Sequence, residues 1–276
     1  MKLGLINSAF TQAGKGTEFG IEQTHKIGFD AIDICADPLD IDVKERRLIK
    51  KTTERYRLPV TGVVCVAVGL MDFNPSVQRF NVDRVKAHLD LGYELEANNL
   101  LLVLGEYIWQ QEIIPPQVQW QTAAENVRTC GEYARTLGLE IVLELEPFKL
   151  SMINNVSKMV AFLDDVNLPN VLANCDISHL YLAETPFEEV QKLQGRIGHV
   201  HLSDCDGKVH GDLPPGRGNT PIKQYLKAIC DTGFDKTVSI ELEYSPDPDR
   251  IVEWVREAYE KTDKIMQELK CRNVRN

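Results

Sequence analysis

Carboxylate, imidazole and amide residues occur in pairs at the ends of four consecutive strand-like segments in the second half of the chain. The two members of each pair are spaced two residues apart, which puts both side chains on one face of a β-strand. The pairs are Glu144 and Glu146, Asn174 and Asp176, His199 and His201, and Glu241 and Glu243.

These pairs would crowd several carboxylates together if their faces point to a common interior. Carboxylates removed from water repel one another and lose hydration, at a cost of several kcal/mol per uncompensated ion. A divalent cation would remove that cost. If these faces point outward, the same side chains would make ordinary polar contacts with helices. The recurrence of a polar pair in four neighbouring segments favours a metal site.

The predicted metal ligands form one ring, which comprises Glu146, Asp176, His201 and Glu241. Three oxygen donors and one imidazole suit Mn²⁺ best, with Mg²⁺ or Co²⁺ as alternatives, and leave positions open for a substrate. The Glu-Leu-Glu spacing also allows Glu243 to be the last ligand, although we favour Glu241. The other member of each pair is expected to orient the ligands through hydrogen bonds. These residues are Glu144, Asn174, His199 and Glu243.

Strand-like and helix-like segments alternate from one end of the chain to the other. The strand-like segments are residues 2–6, 31–34, 60–66, 100–104, 141–146, 171–176, 197–202 and 237–243. Eight alternating units of about 30 residues predict a closed (β/α)8 barrel, and no composition break divides residues 1–276 into two domains. An open doubly wound sheet is the alternative, but no Gly-x-Gly-x-x-Gly follows a strand-like segment. In a barrel, the polar pairs would meet at the carboxyl ends of the strands.

The composition excludes several classes of partner. The 276 residues include 31 Lys and Arg against 41 Asp and Glu, a net charge of −10. Such a balance repels phosphate backbones and anionic membranes, so we expect binding to neither nucleic acid nor membrane. Seven scattered cysteines without a Cys-x-x-Cys motif, and an amino terminus without the apolar segment of a signal peptide, predict a cytoplasmic enzyme.

Residues beyond the strand-like segments could contact a small-molecule substrate. Arg217, in the sequence Pro-Gly-Arg-Gly, could hold a phosphate or carboxylate, or be an arginine of a surface loop. Trp109 could stack on a sugar or pack in a lid. Lys149 and His210 are further candidate contacts, and Asp33 could also reach the substrate from the end of the second segment.

Six short motifs together carry a resemblance to a known family. They are Lys26-Ile27-Gly28-Phe29-Asp30, Leu145-Glu146-Pro147, Cys175-Asp176-Ile177-Ser178-His179, Gly198-His199-Val200-His201-Leu202-Ser203-Asp204, Pro215-Gly216-Arg217-Gly218 and Ser239-Ile240-Glu241. In this order they make the chain similar, over nearly its whole length, to the xylose-isomerase-like barrel superfamily of sugar isomerases and epimerases. Ketose 3-epimerases, hydroxypyruvate isomerases and inosose-processing enzymes belong to that superfamily.

The resemblance implies a metal-dependent sugar epimerase or isomerase that acts on a ketose or keto-sugar derivative. It assigns one divalent ion to the four predicted ligands, proton transfer to Glu146 and Glu241, and substrate contact to His179. The reaction would abstract a proton α to the carbonyl through a metal-bound enediolate. Return of that proton on the opposite face gives epimerisation. We also expect a homodimer or a homotetramer.

Two positions depart from the ketohexose 3-epimerases. The Glu expected six residues after Glu146 is Met152, and the Arg expected six residues after His201 is Gly207, with Lys208 beside it. These differences weigh against a free ketohexose as the substrate but leave the metal chemistry intact.

Three other functions are compatible with the scaffold. A lyase or dehydratase would share the first proton abstraction and then expel a β substituent, as in keto-inositol or dehydroshikimate dehydratases and 3-oxo-glycoside lyases. An abasic-site endonuclease is disfavoured by the net charge of −10 and by the lack of further His ligands for three zinc ions. A non-enzymatic binding subunit would have little reason to retain both Glu146 and Glu241.

Overall fold

The computed structural model describes residues 1–109 and 113–273. Eight parallel strands close into a barrel in which each strand pairs with its neighbours in sequence and β1 pairs with β8. The strands are β1 (Lys2–Ile6), β2 (Ala31–Ile34), β3 (Val60–Val66), β4 (Asn99–Val103), β5 (Glu140–Glu144), β6 (Val171–Asp176), β7 (Ile197–Leu202) and β8 (Thr237–Ile240). The predicted (β/α)8 barrel is therefore confirmed.

Helices in the described part of the chain surround the barrel. They are α1 (Ser8–Thr11), α2 (Thr17–Ile27), α3 (Val43–Tyr56), α4 (Pro75–Glu94), α5 (Pro116–Thr136), α6 (Val156–Val166), α7 (Ile177–Leu182), α8 (Ile222–Asp231) and α9 (Ile251–Glu268). Short 3₁₀ helices occupy Val68–Met71, Phe187–Leu193 and Pro248–Arg250. None of the helices described has the length and apolarity needed to cross a membrane.

Local chemistry sets the ends of these helices. The Asp42 side chain accepts hydrogen bonds from the Lys44 and Glu45 N–H groups and so caps the start of α3. The end of α2 lies at Gly28, whose φ of 115° belongs to the left-handed region that glycine adopts without a steric penalty. The glycine in the Ile-Gly-Phe-Asp sequence therefore ends a helix just before β2.

Two strands end at least two residues earlier than the sequence predicts. β5 ends at Glu144 and β8 at Ile240, so Glu146 and Glu241 lie within the first two residues of the loops that follow. The Glu146 N–H donates to the Ile153 carbonyl at 3.0 Å, within its own loop, instead of continuing the ladder to β6. Both candidate ligands therefore lie at the rim of the barrel.

A glycine makes room for polar side chains inside the barrel. A Cβ atom on Gly62 of β3 would lie 2.7 Å from Asn99 Oδ1 and 3.5 Å from Asp33 Oδ1. The first distance is too short for a real contact. Gly62 therefore leaves room inside the barrel for the Asn99 side chain of β4.

A buried ion network ties the carboxyl-terminal segment to the start of the barrel. The Arg272 side chain is 2% exposed and lies 2.6 Å from Asp30 Oδ2 and 2.7 Å from Asp263 Oδ1. Asp30 Oδ2 also accepts a hydrogen bond from the Leu3 N–H of β1 at 2.8 Å. Since these charges are out of water, each depends on its partners.

We predict that Arg272→Met lowers the free energy of unfolding by about 3 kcal/mol, because it removes the guanidinium that lies 2.6 Å from the buried Asp30 carboxylate. Urea denaturation measures this change. Arg250→Ala is the matched control, because Arg250 pairs with Glu253 at an exposed site and its loss should change stability little. Equal, small effects of the two substitutions would contradict the role of the network.

Candidate functional site

Three of the four predicted metal ligands converge at the carboxyl end of the barrel. Asp176 is the last residue of β6, His201 lies in β7, and Glu241 follows β8. The ligand atoms of these side chains all lie within 4.8 Å of one another, and His201 Nδ1 is 3.6 Å from Glu241 Oε2. Nitrogen and oxygen donors this close can bind one divalent cation.

Asp176 presents one carboxylate oxygen that its neighbours do not use. The residue is fully buried, and its Oδ1 accepts hydrogen bonds from Ser178 Oγ and from the His179 N–H, both at 2.7 Å. Its Oδ2 has no hydrogen-bond partner among the described residues. Burial alone would raise the pKa of Asp176, but the charges of His179 and His210 outweigh burial and hold that pKa below its usual value. An ionised, buried carboxylate with a free oxygen suits a cation.

Glu146 lies beside this group, at the start of the loop after β5. Burial raises the pKa of its carboxyl to about 7, against the opposing charge of His179, and the nearby Glu144 and Asp176 carboxylates add to the rise. Burial also raises the pKa of Glu241 well above its ordinary value, and repulsion from Asp212 and Asp176 adds to it. The acids at the barrel mouth therefore oppose one another's ionisation.

Asp33 of β2 lies beneath the candidate ligands, where it is hydrogen-bonded to His199 and faces His201. His199 Nε2 is 2.9 Å from Asp33 Oδ2, and His201 Nε2 is 3.7 Å from the same oxygen. Because the Nε2 atom of His201 faces Asp33, its Nδ1 atom faces Glu241. The sequence indicated Asp33 only as a possible substrate contact. Its buried position assigns it instead to the layer that orients a ligand, as carboxylates do behind metal-bound histidines.

Glu144 and Asn174 form a second buried layer. Asn174 Nδ2 donates to Glu144 Oε2 at 2.7 Å, and Glu144 Oε1 lies 3.3 Å from His179 Nδ1. The same His179 nitrogen is 2.7 Å from the Leu145 carbonyl oxygen. Burial lowers the pKa of His179, but the Asp176 and Glu144 carboxylates outweigh burial and raise it to about 10. These contacts fix the imidazole of His179 at the mouth.

His210 and Asp212 complete the acidic mouth from the loop between β7 and α8. The His210 and His179 rings are 4.5 Å apart between centroids, and His210 Nε2 lies 3.2 Å from Asp212 Oδ1. Burial raises the pKa of Asp212 to about 8, with further repulsion from Asp176 and Glu243. The sequence indicated His210 as a substrate contact but gave no sign of Asp212, which follows no strand-end pattern.

Asp204 anchors the loop that carries His210 and Asp212. Its carboxylate accepts four backbone hydrogen bonds, whose donors are the N–H groups of Cys205, Gly216, Gly218 and Thr220, at 2.7–2.9 Å. Asp204 and Leu213 also exchange two backbone hydrogen bonds. The loop is therefore fixed at both of its ends.

Arg217 is engaged by α9. Its guanidinium donates to Glu257 Oε2 at 2.6 Å and lies 4.1 Å from the centroid of the Trp254 ring. A phosphate or carboxylate would compete with Glu257 for this guanidinium. Contact of Arg217 with a substrate stays a prediction.

The other predicted substrate contacts lie in exposed positions. Lys149 is exposed in the loop after β5. Trp109 is 57% exposed, and its ring packs on Phe73 at 5.1 Å between centroids. Contact of Lys149 and Trp109 with a substrate stays a prediction.

Glu243, which the sequence predicts to orient the ligands, is half-buried near Asp212 and Glu241.

We predict that Asp33→Asn weakens Mn²⁺ binding about 10- to 100-fold, because it removes the buried negative charge that bonds His199 and faces the Nε2 atom of His201. Calorimetric titration of the chelator-treated protein measures the affinity. Asp37→Asn is the matched control, because Asp37 pairs with Arg84 at 2.6 Å and touches none of the candidate ligands described above. Unchanged affinity in Asp33→Asn would contradict the orienting role.

Comparisons with known proteins agree with this architecture. The fructoselysine 3-epimerase of Escherichia coli O157:H7 is 26% identical over 236 residues, which cover 82% of this chain and 85% of that protein. The structure of D-allulose 3-epimerase from Methylomonas sp., in complex with D-allulose, superposes with a TM-score of 0.82 at 20% identity, over 96% of each chain. The structure of the IOLI protein with a bound zinc atom gives a TM-score of 0.83 at 16% identity, over 98% of this chain and 99% of that chain.

The sequence model of the xylose isomerase-like TIM barrel matches residues 21–265. That match spans most of the barrel and includes every candidate ligand. The chain therefore belongs to the xylose isomerase-like TIM-barrel family.

Proposed function

We propose that the chain is a metal-dependent sugar epimerase that acts on a ketose or keto-sugar derivative. The observation that carries the proposal is the convergence of Asp176, His201 and Glu241, with Glu146 beside them. Similarity to a fructoselysine 3-epimerase supports epimerisation over the lyase that the sequence also allows.

The four residues fit a divalent cation, and we expect Mn²⁺ first, with Mg²⁺ or Co²⁺ as alternatives. The free Oδ2 of buried Asp176 and the mutual repulsion of the carboxylates both support a cation there. The zinc atom bound by the IOLI protein supports a divalent ion in this fold. When bound, such an ion polarises a substrate carbonyl and stabilises negative charge on its oxygen.

Glu146 and Glu241 are placed to move a proton between two faces of a substrate. They follow β5 and β8, which are separated by β6 and β7 around the barrel, so they approach the mouth from different directions. Burial raises the pKa of both, which makes each carboxylate a stronger base. One removes the proton beside the carbonyl and the other returns a proton to the opposite face, which inverts that carbon.

The surrounding residues favour an uncharged keto-sugar derivative. Met152 is fully buried, so its side chain offers no polar contact where the ketohexose 3-epimerases are expected to have Glu. Arg217 is held by Glu257, which weighs against a phosphate at that loop. His179 and His210 lie next to Asp176 and are the groups that we expect to contact sugar hydroxyls.

The remaining expectations concern the setting of the enzyme. All seven cysteines are free, which supports a reducing compartment such as the cytoplasm. We expect a homodimer or a homotetramer, with a small sugar as the partner of the site.

We predict that Glu146→Gln and Glu241→Gln each slow the entry of solvent deuterium at least 100-fold, because each removes one proton-transfer group. The substrate is the one that the wild type turns over in a panel of ketoses, their phosphates and 3-oxo glycosides. Mass spectrometry follows the exchange, and it separates a mass-neutral epimer from a product that has lost water or an aglycone.

Glu257→Gln is the control for these substitutions, because Glu257 contacts Arg217 and Lys261 on the outer helix. It should exchange at the wild-type rate. Exchange at that rate in both Glu146→Gln and Glu241→Gln would remove the pair from the mechanism.

We predict that dialysis against a chelator abolishes exchange and lowers the melting temperature, because the crowded carboxylates lose their counter-ion. Addition of Mn²⁺ should restore both. Full activity in protein shown by elemental analysis to be free of metal would contradict metal dependence.

A further inference from the structure

Two cysteines lie side by side at the end of the barrel opposite the candidate site. Cys230 is in the last turn of α8, and Cys271 follows α9 in the segment whose Asn273 N–H donates to the Met1 carbonyl, just before β1. The Cys230 thiol donates a hydrogen bond to the Cys271 sulfur. Both residues are half-buried, so the pair is in contact and partly accessible to solvent.

Contacts on the other side hold Cys271 in place. Its N–H donates to the Met266 carbonyl of α9 at 3.1 Å, and its Sγ donates to the same oxygen at 3.4 Å. The next residue, Arg272, belongs to the buried ion network with Asp30. The carboxyl-terminal segment therefore presents the Cys271 sulfur to Cys230 from a fixed backbone.

The contact gives the two thiols unequal acidity. The hydrogen bond from Cys230 lowers the pKa of the Cys271 thiol to about 7, against the opposing effect of burial. The same bond, together with burial, raises the pKa of the Cys230 thiol. The thiolate is the form that attacks a disulfide, and a thiol whose pKa lies near the ambient pH attacks fastest. Cys271 is therefore the better nucleophile of the two.

The other five cysteines differ from this pair. Burial raises the pKa of the four that are enclosed in the core, and these are Cys65, Cys130, Cys175 and Cys205. Cys35 is half-buried, but burial raises the pKa of its thiol to about 11. Of the seven cysteines, all of which the structure describes, Cys271 alone combines partial exposure with a lowered pKa.

We propose that Cys230 and Cys271 form a reversible disulfide with each other when the protein meets a low-molecular-weight disulfide such as glutathione disulfide. The Cys271 thiolate attacks one sulfur of that molecule, releases one glutathione and leaves a mixed disulfide. Cys230 then loses its proton, and its sulfur attacks the Cys271 sulfur and displaces the second glutathione. The two electrons and two protons that the protein thiols lose reduce one glutathione disulfide to two glutathione molecules.

The disulfide would fasten the carboxyl-terminal segment to α8. It closes the stretch from residue 230 to residue 271, which contains β8 and α9, and so restricts the unfolded chain. We therefore expect the oxidised protein to melt about 5 °C higher than the reduced protein. In a reducing compartment such a bond is transient and reports a change of redox state. Both cysteines lie at the opposite end of the barrel from the candidate ligands, so the bond is independent of the proposed function.

The test maps disulfides in the full chain under native conditions. Reduced protein is incubated in a series of mixtures of glutathione and glutathione disulfide, free thiols are alkylated, and the digested protein is analysed by mass spectrometry. We expect one linked peptide pair, Cys230 with Cys271, together with the loss of two free thiols and a rise in melting temperature that dithiothreitol reverses. The mapping uses the wild type, so it does not depend on the folding of a variant. No linkage between these two cysteines in the most oxidising mixture would overturn the proposal.

Three substitutions test the order of the steps. Cys230→Ser should stop at the mixed disulfide, with one glutathione on Cys271, whereas Cys271→Ser should take up less glutathione, and neither variant should gain stability on oxidation. Cys35→Ser is the matched control, because Cys35 is also half-buried, and it should form the linkage as the wild type does. A linkage between other cysteines, or equal uptake of glutathione by Cys230→Ser and Cys271→Ser, would overturn the assignment.

Discussion

Repulsion among buried carboxylates at one end of the barrel is the constraint on which the site depends. Asp176 is fully buried and keeps one oxygen free, while Glu241 and Asp212 oppose each other's ionisation. A packed apolar mouth would be cheaper for folding alone, since uncompensated ions out of water are costly. We therefore interpret the mouth as a binding site in which a cation would offset the charges of the crowded carboxylates.

The barrel supplies the rigidity that this arrangement needs. Adjacent parallel strands deliver Asp176 and His201 to the same rim, and their pairing fixes the distance between them. Beneath the rim, Asp33 is hydrogen-bonded to His199 and faces His201, and Gly62 leaves the space that the Asn99 side chain occupies. Side chains held in this way lose little further freedom when a ligand binds, which is the basis of preorganised binding.

The sequence predicted the parts of the molecule that follow from periodicity. The alternation of strands and helices and the spacing of two within each polar pair are local patterns, and the barrel that they predict is confirmed. The sequence predicts later ends for β5 and β8, because Glu146 and Glu243 continue the alternating pattern of a strand. The bond from the Glu146 N–H to the Ile153 carbonyl, which turns the chain away from β6, has no local signal. The sequence could not predict the position of Asp212 at the site or the partners of Arg217. Each depends on contacts between segments that are distant in the chain, such as the pairing of Arg217 with Glu257 on α9.

The most direct test of the central claim is a crystal structure of the protein soaked in Mn²⁺, with anomalous scattering recorded to locate the metal. The account predicts an anomalous peak bound by Asp176 Oδ2, His201 Nδ1 and the Glu241 carboxylate, with Glu146 on the same ion. An anomalous map with no peak among these four side chains, from crystals saturated with Mn²⁺, would contradict it.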